Sequence, residues 1–240
     1  MLIPLLAAFT MATGSGPMDE ALRATEAPNT MRAAFTVDLL SDRAQRTFRF
    51  DPREPIGKRW TLIDATGEDS DLDQAAAAWG AEAAPDGRLF PDDLRASFGQ
   101  SVSVEDLGAA WRVRFRHAPS ANDTEFDVWA AERLDAVAWL EPTQDRFLRI
   151  DYSLPKPVRG PDGGRLVKFE QTYLLERDPR WDMSFIASFS IDLEARAAFQ
   201  TIRRAYSARV TDAEFFFATS AAETAFESGR NVPRQTSERR

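Results

Sequence analysis

"AAWRVRFRHAP", residues 109–119, alternates large side chains with arginines and decides the class of secondary structure. The side chains form two sets: Trp111, Val113, Phe115 and His117 in one, and Arg112, Arg114 and Arg116 in the other. Successive side chains of a β-strand point to opposite faces of its sheet, so a period of two places each set on its own face. The stretch is therefore predicted to be a strand with one buried and one solvated face.

The same period continues through the second half of the chain. Four further stretches show it: "RFLRIDYSL" (146–154), "RLVKFEQTYLLER" (165–177), "MSFIASFSID" (183–192) and "RRAYSARVTDAEFFF" (203–217). Proline, glycine and aspartate, which favour turns, lie between them in "PKPVRGPDGG" (155–164) and "ERDPRW" (176–181). Because long strands that are joined by short turns pair with their neighbours, the sequence predicts an antiparallel meander.

A hairpin is predicted nearer the N-terminus in "TFRFDPREPIGKRWTL", residues 47–62. Phe48 and Phe50 alternate with polar neighbours, "DPREPIG" interrupts the alternation, and Trp60 and Leu62 resume it. The prolines favour turn geometry and offer no amide hydrogen for strand pairing. The interruption therefore reads as a solvent-facing loop of about seven residues, longer than the usual two to five.

Three short helices are predicted at residues 18–27, 69–80 and 90–99. Acidic residues, an alanine run and a final glycine favour the second, and Pro91 lies at a tolerated first-turn position of the third. All three precede the long strands or fall between early ones, so they are expected to cap one side of the sheet. Residues 219–240 are polar without apolar periodicity and are predicted to be disordered.

Composition limits the fold and the partners. A chain of 240 residues with 43% apolar content can bury a sizeable core, and one domain is predicted over residues 17–218. The net charge is −8 and no dense basic block precedes the C-terminal "SERR", which argues against a nucleic acid partner. The absence of cysteine excludes disulfides, thiolate zinc sites and a cysteine nucleophile.

The first 16 residues, "MLIPLLAAFTMATGSG", have an apolar run at residues 2–9 followed by small residues, like the later part of a secretory signal. A basic n-region is missing because the first basic residue is Arg23, and the run is too short to span a bilayer. Export to the periplasm is favoured, with the protein peripheral to a membrane at most. A cytoplasmic location stays open as the alternative.

The whole arrangement resembles the periplasmic lipoprotein-carrier (LolA-like) superfamily. The features that match are the N-terminal segment, the hairpin "FRFDPREPIGKRW", the helices after it, and "ERLDAVAWLEPTQDRFLRIDYSLPKPVR" leading into three more long strands. They cover about residues 30–218. The resemblance implies a mainly β (α+β) fold in which a curved antiparallel sheet forms an unclosed half-barrel, with a few short helices plugging its open side. It also implies binding of an apolar or acylated ligand.

Residues with reactive chemistry are few. His117 is the only histidine, and it ends a predicted strand. The carboxylate groups fall in predicted turns or helix starts, where acidic residues are expected without any catalytic role: Asp51 with Glu54, Glu141 with Asp145, and Asp69, Asp71 and Asp73. We therefore predict no enzyme, no cofactor and no metal, with an enzyme that uses carboxylates as the third-ranked alternative.

The aromatic and aliphatic residues of the strands give the candidate ligand site. In a half-barrel they would line an apolar trough, and the predicted lining is Phe48, Phe50, Trp60, Leu62, Trp111, Phe115, Trp139, Phe185 and Phe189. In a closed or sandwiched β fold the same residues would simply fill the core. The second hypothesis is accordingly a structural or adaptor domain of the cell envelope, whose sheet edge or cap contacts another envelope protein.

Overall fold

The computed structural model describes residues 17–118, 125–143, 146–160, 163–197 and 200–230. Its strands are β1 Met31–Leu40, β2 Ala44–Phe50, β3 Trp60–Gly67, β4 Phe98–Asp106, β5 Trp111–His117, β6 Asp135–Glu141, β7 Arg146–Ser153, β8 Val158–Arg159, β9 Arg165–Asp178, β10 Met183–Ala197 and β11 Gln200–Phe217. Its helices are α1 Pro17–Ala24, α2 Ser70–Gly80, a 3-10 helix Pro85–Leu89, α3 Asp92–Ser97, α4 Glu125–Ala131 and α5 Ser220–Arg230.

All strands belong to one antiparallel sheet in the order β3-β2-β1-β11-β10-β9-β7-β6-β5-β4, with β8 paired to β9. The order is a meander except that β11 returns to lie beside β1, and β3 and β4 form two separate edges. The sheet is therefore an unclosed half-barrel, and the predicted fold class is confirmed. The chain between the two edge strands carries α2, the 3-10 helix and α3.

The helices cover one face of this sheet, called the inner face here. Its side chains follow the predicted period of two: Val113 and Phe115 on β5 are buried, while Arg112 and Arg114 point to the outer face. In β2 and β3 the register places Phe50 opposite Trp60 and Phe48 opposite Leu62, so the predicted hairpin is also confirmed.

Two of the three predicted helices form close to their expected ends. The third is shorter than predicted, and a fourth helix was not predicted. Asp69 caps α2 by accepting hydrogen bonds from the amides of Asp71 and Leu72, and α1 occupies most of residues 18–27. The predicted helix at 90–99 is only Asp92–Ser97, because Phe98 already begins strand β4. The helix α4 was not predicted, since it follows a polar stretch without a clear apolar period.

The prediction of disorder over residues 219–240 is wrong for Ser220–Arg230, which form α5. Phe226 lies against Trp181 and Phe217, with ring centroids 6.2 and 5.1 Å away, and Arg180 donates to Glu223 at 2.8 Å. The helix docks on the sheet through one aromatic residue, and a single aromatic residue creates no apolar period in the sequence. Residues 1–16 and 231–240 lie outside the described residues.

No helix within the described ranges is long and apolar enough to cross a membrane.

Candidate ligand-binding site

Two separate core clusters fill the two ends of the inner face. The first core cluster lies beneath α2 and the 3-10 helix and includes Phe35, Phe50 and Trp79. The second core cluster lies beneath α1 and α3 and includes Val113 and Ile150. Each cluster is held by helix side chains that reach the sheet, so the ends of the half-barrel are packed cores.

A cavity of about 950 Å³ lies between the two clusters. The 3-10 helix, α3 and α4 form one side of it, and strands β7, β9, β10 and β11 form the other. The lining is mainly apolar and includes Leu89, Phe90, Leu94, Ala130, Ala131, Leu134, Leu166, Phe169, Tyr173, Ile186, Phe189, Ile191, Leu193, Ala208 and Val210. This volume is at the upper end of the range for small-molecule sites.

Strand register builds the cavity wall. Tyr173 pairs with Phe189, Gln171 with Ile191 and Phe169 with Leu193, so three successive pairs on β9 and β10 face inward together. Phe189 contacts the rings of both Tyr173 and Tyr206, with centroids 5.2 and 5.9 Å apart. The three rings of this aromatic row are half-buried, whereas Phe35, on which Trp79 stacks, is fully buried.

A few polar side chains interrupt the apolar lining, and four of them are bonded in two pairs. The hydroxyls of Ser97 and Tyr152 lie 2.9 Å apart, and Ser97 also donates to the carbonyl of Leu94 at 2.7 Å. Burial raises the pKa of Tyr152 to about 12, although its bond to Ser97 opposes that rise. Gln171 donates to the hydroxyl of Tyr173 at 2.8 Å.

The charged residues of the lining, Glu82 and Arg88, neutralise each other. Arg88 Nε donates to Glu82 Oε1 at 2.8 Å, and its guanidinium lies over the ring of Trp79, 5.2 Å from the centroid. Among the described lining residues no other lysine, arginine, aspartate or glutamate is present. The acid and the base of the described lining therefore cancel, and its other polar groups include hydroxyls, an amide and the imidazole of His117.

A buried ion pair fastens the 3-10 helix over the cavity. Asp86 accepts hydrogen bonds from Arg32 Nε at 2.7 Å and Nη2 at 3.0 Å, and from the amide of Ala33 at 3.1 Å. The bond to Asp86 is the main reason that the pKa of Arg32 is raised. The indole of Trp79 donates to the carbonyl of Pro85 at 2.9 Å, which joins the same helix to α2.

The structure places the nine predicted lining residues differently from one another, and only Phe189 lines the cavity. Phe50, Phe115 and Phe185 are buried in the core clusters, and Phe48, Trp60 and Trp111 are partly buried against those clusters. Leu62, on the edge strand β3, is 50% exposed. Trp139 is paired with Arg112 and Arg149 on the outer face, where its indole donates to Asp151 at 3.0 Å.

The prediction that Trp60, Trp111 and Trp139 share a concave face is therefore wrong for Trp139, because it has the opposite parity to its buried neighbours Ala138 and Leu140. The residues that sequence reasoning missed are Phe169, Tyr173, Ile191 and Leu193. Their alternation is visible in the sequence, but which face is inner depends on the long-range register of β9, β10 and β11.

The other candidates for chemistry have structural roles. Asp69 caps α2 and accepts from the hydroxyl of Ser41 at 2.8 Å, a bond that is the main reason for the lowered pKa of Asp69. Asp51 bonds with Arg53, and Glu141 with Arg146. His117 lines the cavity with its ring 6.0 Å from that of Tyr152. Within the described residues no three acidic, histidine or cysteine side chains are grouped to hold a metal ion.

The chain was compared with known proteins and with solved structures. No family model and no curated protein matches the chain. It is similar to the crystal structure of a domain assigned to an outer membrane lipoprotein-sorting protein from Vibrio parahaemolyticus, with 10% sequence identity and a TM-score of 0.37. The match covers 89% of this chain and 96% of that chain. The description of that neighbour names the class of protein that the sequence pattern resembles.

Proposed function

We propose that the cavity binds a ligand with a long apolar chain, such as a lipid or an acylated protein, and that the protein is not an enzyme. One observation carries this proposal: an apolar cavity of about 950 Å³ lies between two packed clusters and is lined by half-buried aromatic and aliphatic side chains. A core that served stability alone would bring these side chains into close packing, as both ends of the sheet do.

The energetics are compatible with reversible carriage. Burying a chain of about fourteen methylenes would yield roughly 11 kcal/mol at about 0.8 kcal/mol each. Association and ordering cost on the order of 4 to 15 kcal/mol. The net value spans about −7 to +4 kcal/mol, and its favourable part corresponds to weak, reversible binding. The neutral lining further favours the chain, or an uncharged group next to it, as the part that enters.

The periplasm is the proposed location. Its support is the apolar run at residues 2–9 followed by small residues, which is typical of the end of a secretory signal. Transfer of an acyl chain between membranes through water also needs a carrier that shields the chain, and the cavity meets that need.

Filling the cavity tests the proposal. In the full chain Gln171→Trp places an indole on the inner face of β9, and Glu170→Trp makes the matched change on the outer face one residue away. Titration with cis-parinaric acid, a fluorescent long-chain fatty acid, and with its methyl ester should give saturable binding by the wild type. Gln171→Trp should weaken this binding by about tenfold or more, equivalent to about 1.4 kcal/mol.

The control variant Glu170→Trp should bind cis-parinaric acid with an affinity within about twofold of that of the wild type. Protein fluorescence gives an independent reading, because Trp79 lines the cavity whereas Trp139 lies on the outer face. A ligand-dependent change in emission should therefore disappear in Trp79→Phe and persist in Trp139→Phe. Absence of saturable binding by the wild type, or equal weakening in both Trp insertions, would reject the cavity as the site.

An adaptor role is the second candidate, and the edge strands favour it. Leu62 and Ile63 on β3 and Val102 and Val104 on β4 are exposed apolar residues on strands with one unpaired edge. Such edges accept an extended segment from a partner by strand addition. The two roles separate on the variants above, since cavity filling should leave an edge-mediated contact unchanged.

A further inference from the structure

One end of the sheet projects as a basic tip. The tip is formed by the ends of four neighbouring strands. These ends are residues 158–159 of β8, 165–168 of β9, 192–196 of β10 and 201–204 of β11. The tip carries six basic residues from separate parts of the sequence: Arg159, Arg165, Lys168, Arg196, Arg203 and Arg204. Strand pairing collects these charges, so the sequence has no basic block there that would reveal them.

Register places three arginines of the tip side by side. Arg165 on β9 pairs with Arg159 on β8 and with Arg196 on β10, which makes a continuous cross-strand row. Like charges directly opposite each other in a sheet destabilise it. Folding therefore does not account for this row, whereas a surface that supplies negative charge would stabilise it.

The acidic residues nearby compensate only part of this charge. Glu194 is shared by Arg196 at 2.8 Å and Arg203 at 3.2 Å, and Lys168 pairs with Asp192 at 2.7 Å and with Glu170 at 3.3 Å. Arg159, Arg165 and Arg204 form no ion pair with any residue that the structure describes. The tip is thus locally basic on a chain whose net charge is −8.

Apolar surface adjoins Arg204, on the opposite face from the row of Arg159, Arg165 and Arg196. Ile202 on β11 is 46% exposed and lies opposite Ala195, on the same face as Arg204. Arg204 is paired with Leu193, which lines the cavity, and Leu166 lines it from β9. The cavity wall therefore continues into the base of the tip, where exposed apolar and basic side chains stand together.

We propose that the basic tip docks on the surface of an anionic phospholipid bilayer. Phosphate groups accept paired hydrogen bonds from arginine, and anionic membranes attract basic residues that lie close to their surface. The exposed Ile202 fits the apolar zone just below the headgroups, a combination that favours a bilayer over an acidic protein. Docking at this end brings the cavity wall to the membrane, and it stands independently of which ligand the cavity takes.

Vesicle sedimentation of the full chain tests the proposal. The wild type should sediment with vesicles of phosphatidylcholine mixed equally with phosphatidylglycerol, and should stay in solution with phosphatidylcholine alone. Arg165→Gln combined with Arg204→Gln should weaken the binding by about 25-fold, at about fivefold for each charge. Salt at about 1 M should abolish it, because the screening length falls to about 3 Å.

The matched control combines Arg114→Gln with Arg116→Gln, two exposed arginines on β5 that likewise form no ion pair with the described residues. It removes the same charge from β5, which β6 and β7 separate from β9, and should bind within about twofold of the wild type. Thermal unfolding of both double variants checks that they remain folded. Equal weakening in both, or no sedimentation with the anionic vesicles, would overturn the proposal. Retention by immobilised polyglutamate without vesicle binding would replace the bilayer with an acidic protein partner.

Discussion

The ends and the middle of the inner face are built from the same kinds of residue but packed differently. At the β1–β3 end, Trp79 from α2 stacks on Phe35 with centroids 5.8 Å apart and contacts Trp60 at 5.5 Å. In the middle, Tyr173, Phe189 and Tyr206 form an aromatic row of similar spacing, of which Tyr173 and Phe189 line the cavity. Aromatic content therefore does not distinguish core from cavity wall; burial does, since Phe35 is 1% exposed whereas the three rings of the row are half-buried.

The helices are too short to fill the whole face. The helix α2 spans 11 residues and α1 spans 8, and each buries its apolar side chains against one end of the sheet. At 1.5 Å per residue such helices are about 12 to 17 Å long. The middle is covered by the 3-10 helix, α3 and α4, which are shorter still. An open cavity between two filled ends follows from these lengths.

The largest expected effect comes from truncating one phenylalanine in each region. Phe50→Ala removes a fully buried ring from the first core cluster and should lower the free energy of unfolding by about 3 to 5 kcal/mol. Phe189→Ala removes a half-buried ring from the wall of an existing cavity. It should lower the free energy of unfolding by about half as much as Phe50→Ala or less. Urea denaturation of both variants, followed by tryptophan emission, measures the two values.

The effects of the two variants on ligand binding should rank in the opposite order to their effects on stability. Phe189→Ala should weaken binding of cis-parinaric acid, whereas Phe50→Ala should leave binding unchanged at temperatures where the variant is folded. Equal loss of stability in the two variants would mean that the middle is packed as tightly as the ends, and the comparison would then fail.

A smaller effect is expected at the ion pair that fastens the 3-10 helix over the middle. Asp86→Ala leaves the amide of Ala33 and the guanidinium of Arg32 without their acceptor. Because Arg32 is 32% exposed, water replaces part of the loss, and we expect about 2 kcal/mol. The pair of Arg53 with Glu214 is also doubly bonded but exposed, so Glu214→Ala should cost about 1 kcal/mol or less.

Thermal unfolding compares the stability of these two variants, and hydrogen exchange locates the effect. Faster exchange in Asp86→Ala should be confined to the 3-10 helix and the adjoining part of β1. If Asp86→Ala and Glu214→Ala lose the same stability, burial adds nothing to the first pair and the 3-10 helix is held by its apolar contacts alone.

Local patterns predict most of the fold because the deciding signals are themselves local. Alternation in residues 111–117 identifies a strand, and Asp69 before an alanine run identifies the start of α2. The loop between Phe50 and Trp60 is likewise marked by its prolines. The strands β1, β4 and β8, the 3-10 helix, α4 and α5 were not assigned from the sequence. The helix α5 makes a tertiary contact through Phe226 that no local pattern contains.

The site could not be predicted to the same extent, because it depends on pairing between distant strands. Trp139 and Trp111 both lie within alternating stretches, yet the register with β5 and β7 sends Trp139 to the outer face. The basic tip depends on register in the same way, since Arg159, Arg165 and Arg196 meet only when β8, β9 and β10 are paired. A sequence shows which residues of a strand share a face. It does not show which of the two faces is buried.

The smallest effect at neutral pH is expected at Tyr152, which belongs to the second core cluster and also lines the cavity. In Tyr152→Phe the hydroxyl of Ser97 keeps its bond to the carbonyl of Leu94, so no buried donor loses all its partners. The free energy of unfolding should therefore fall by about 1 kcal/mol or less.

Alkaline solution separates this variant from the wild type and reports on the middle of the molecule. Burial raises the pKa of Tyr152 to about 12 in the folded protein, whereas a tyrosine in the unfolded chain loses its proton near pH 10. The folded state thus holds this proton to higher pH than the unfolded state does, and the stability of the wild type should fall as pH rises between about 10 and 12. Tyr152→Phe lacks this part of the decline, so denaturation curves of the two proteins should converge across that interval. Parallel curves would mean that water in the cavity reaches the hydroxyl freely, and that the open middle extends into the second core cluster.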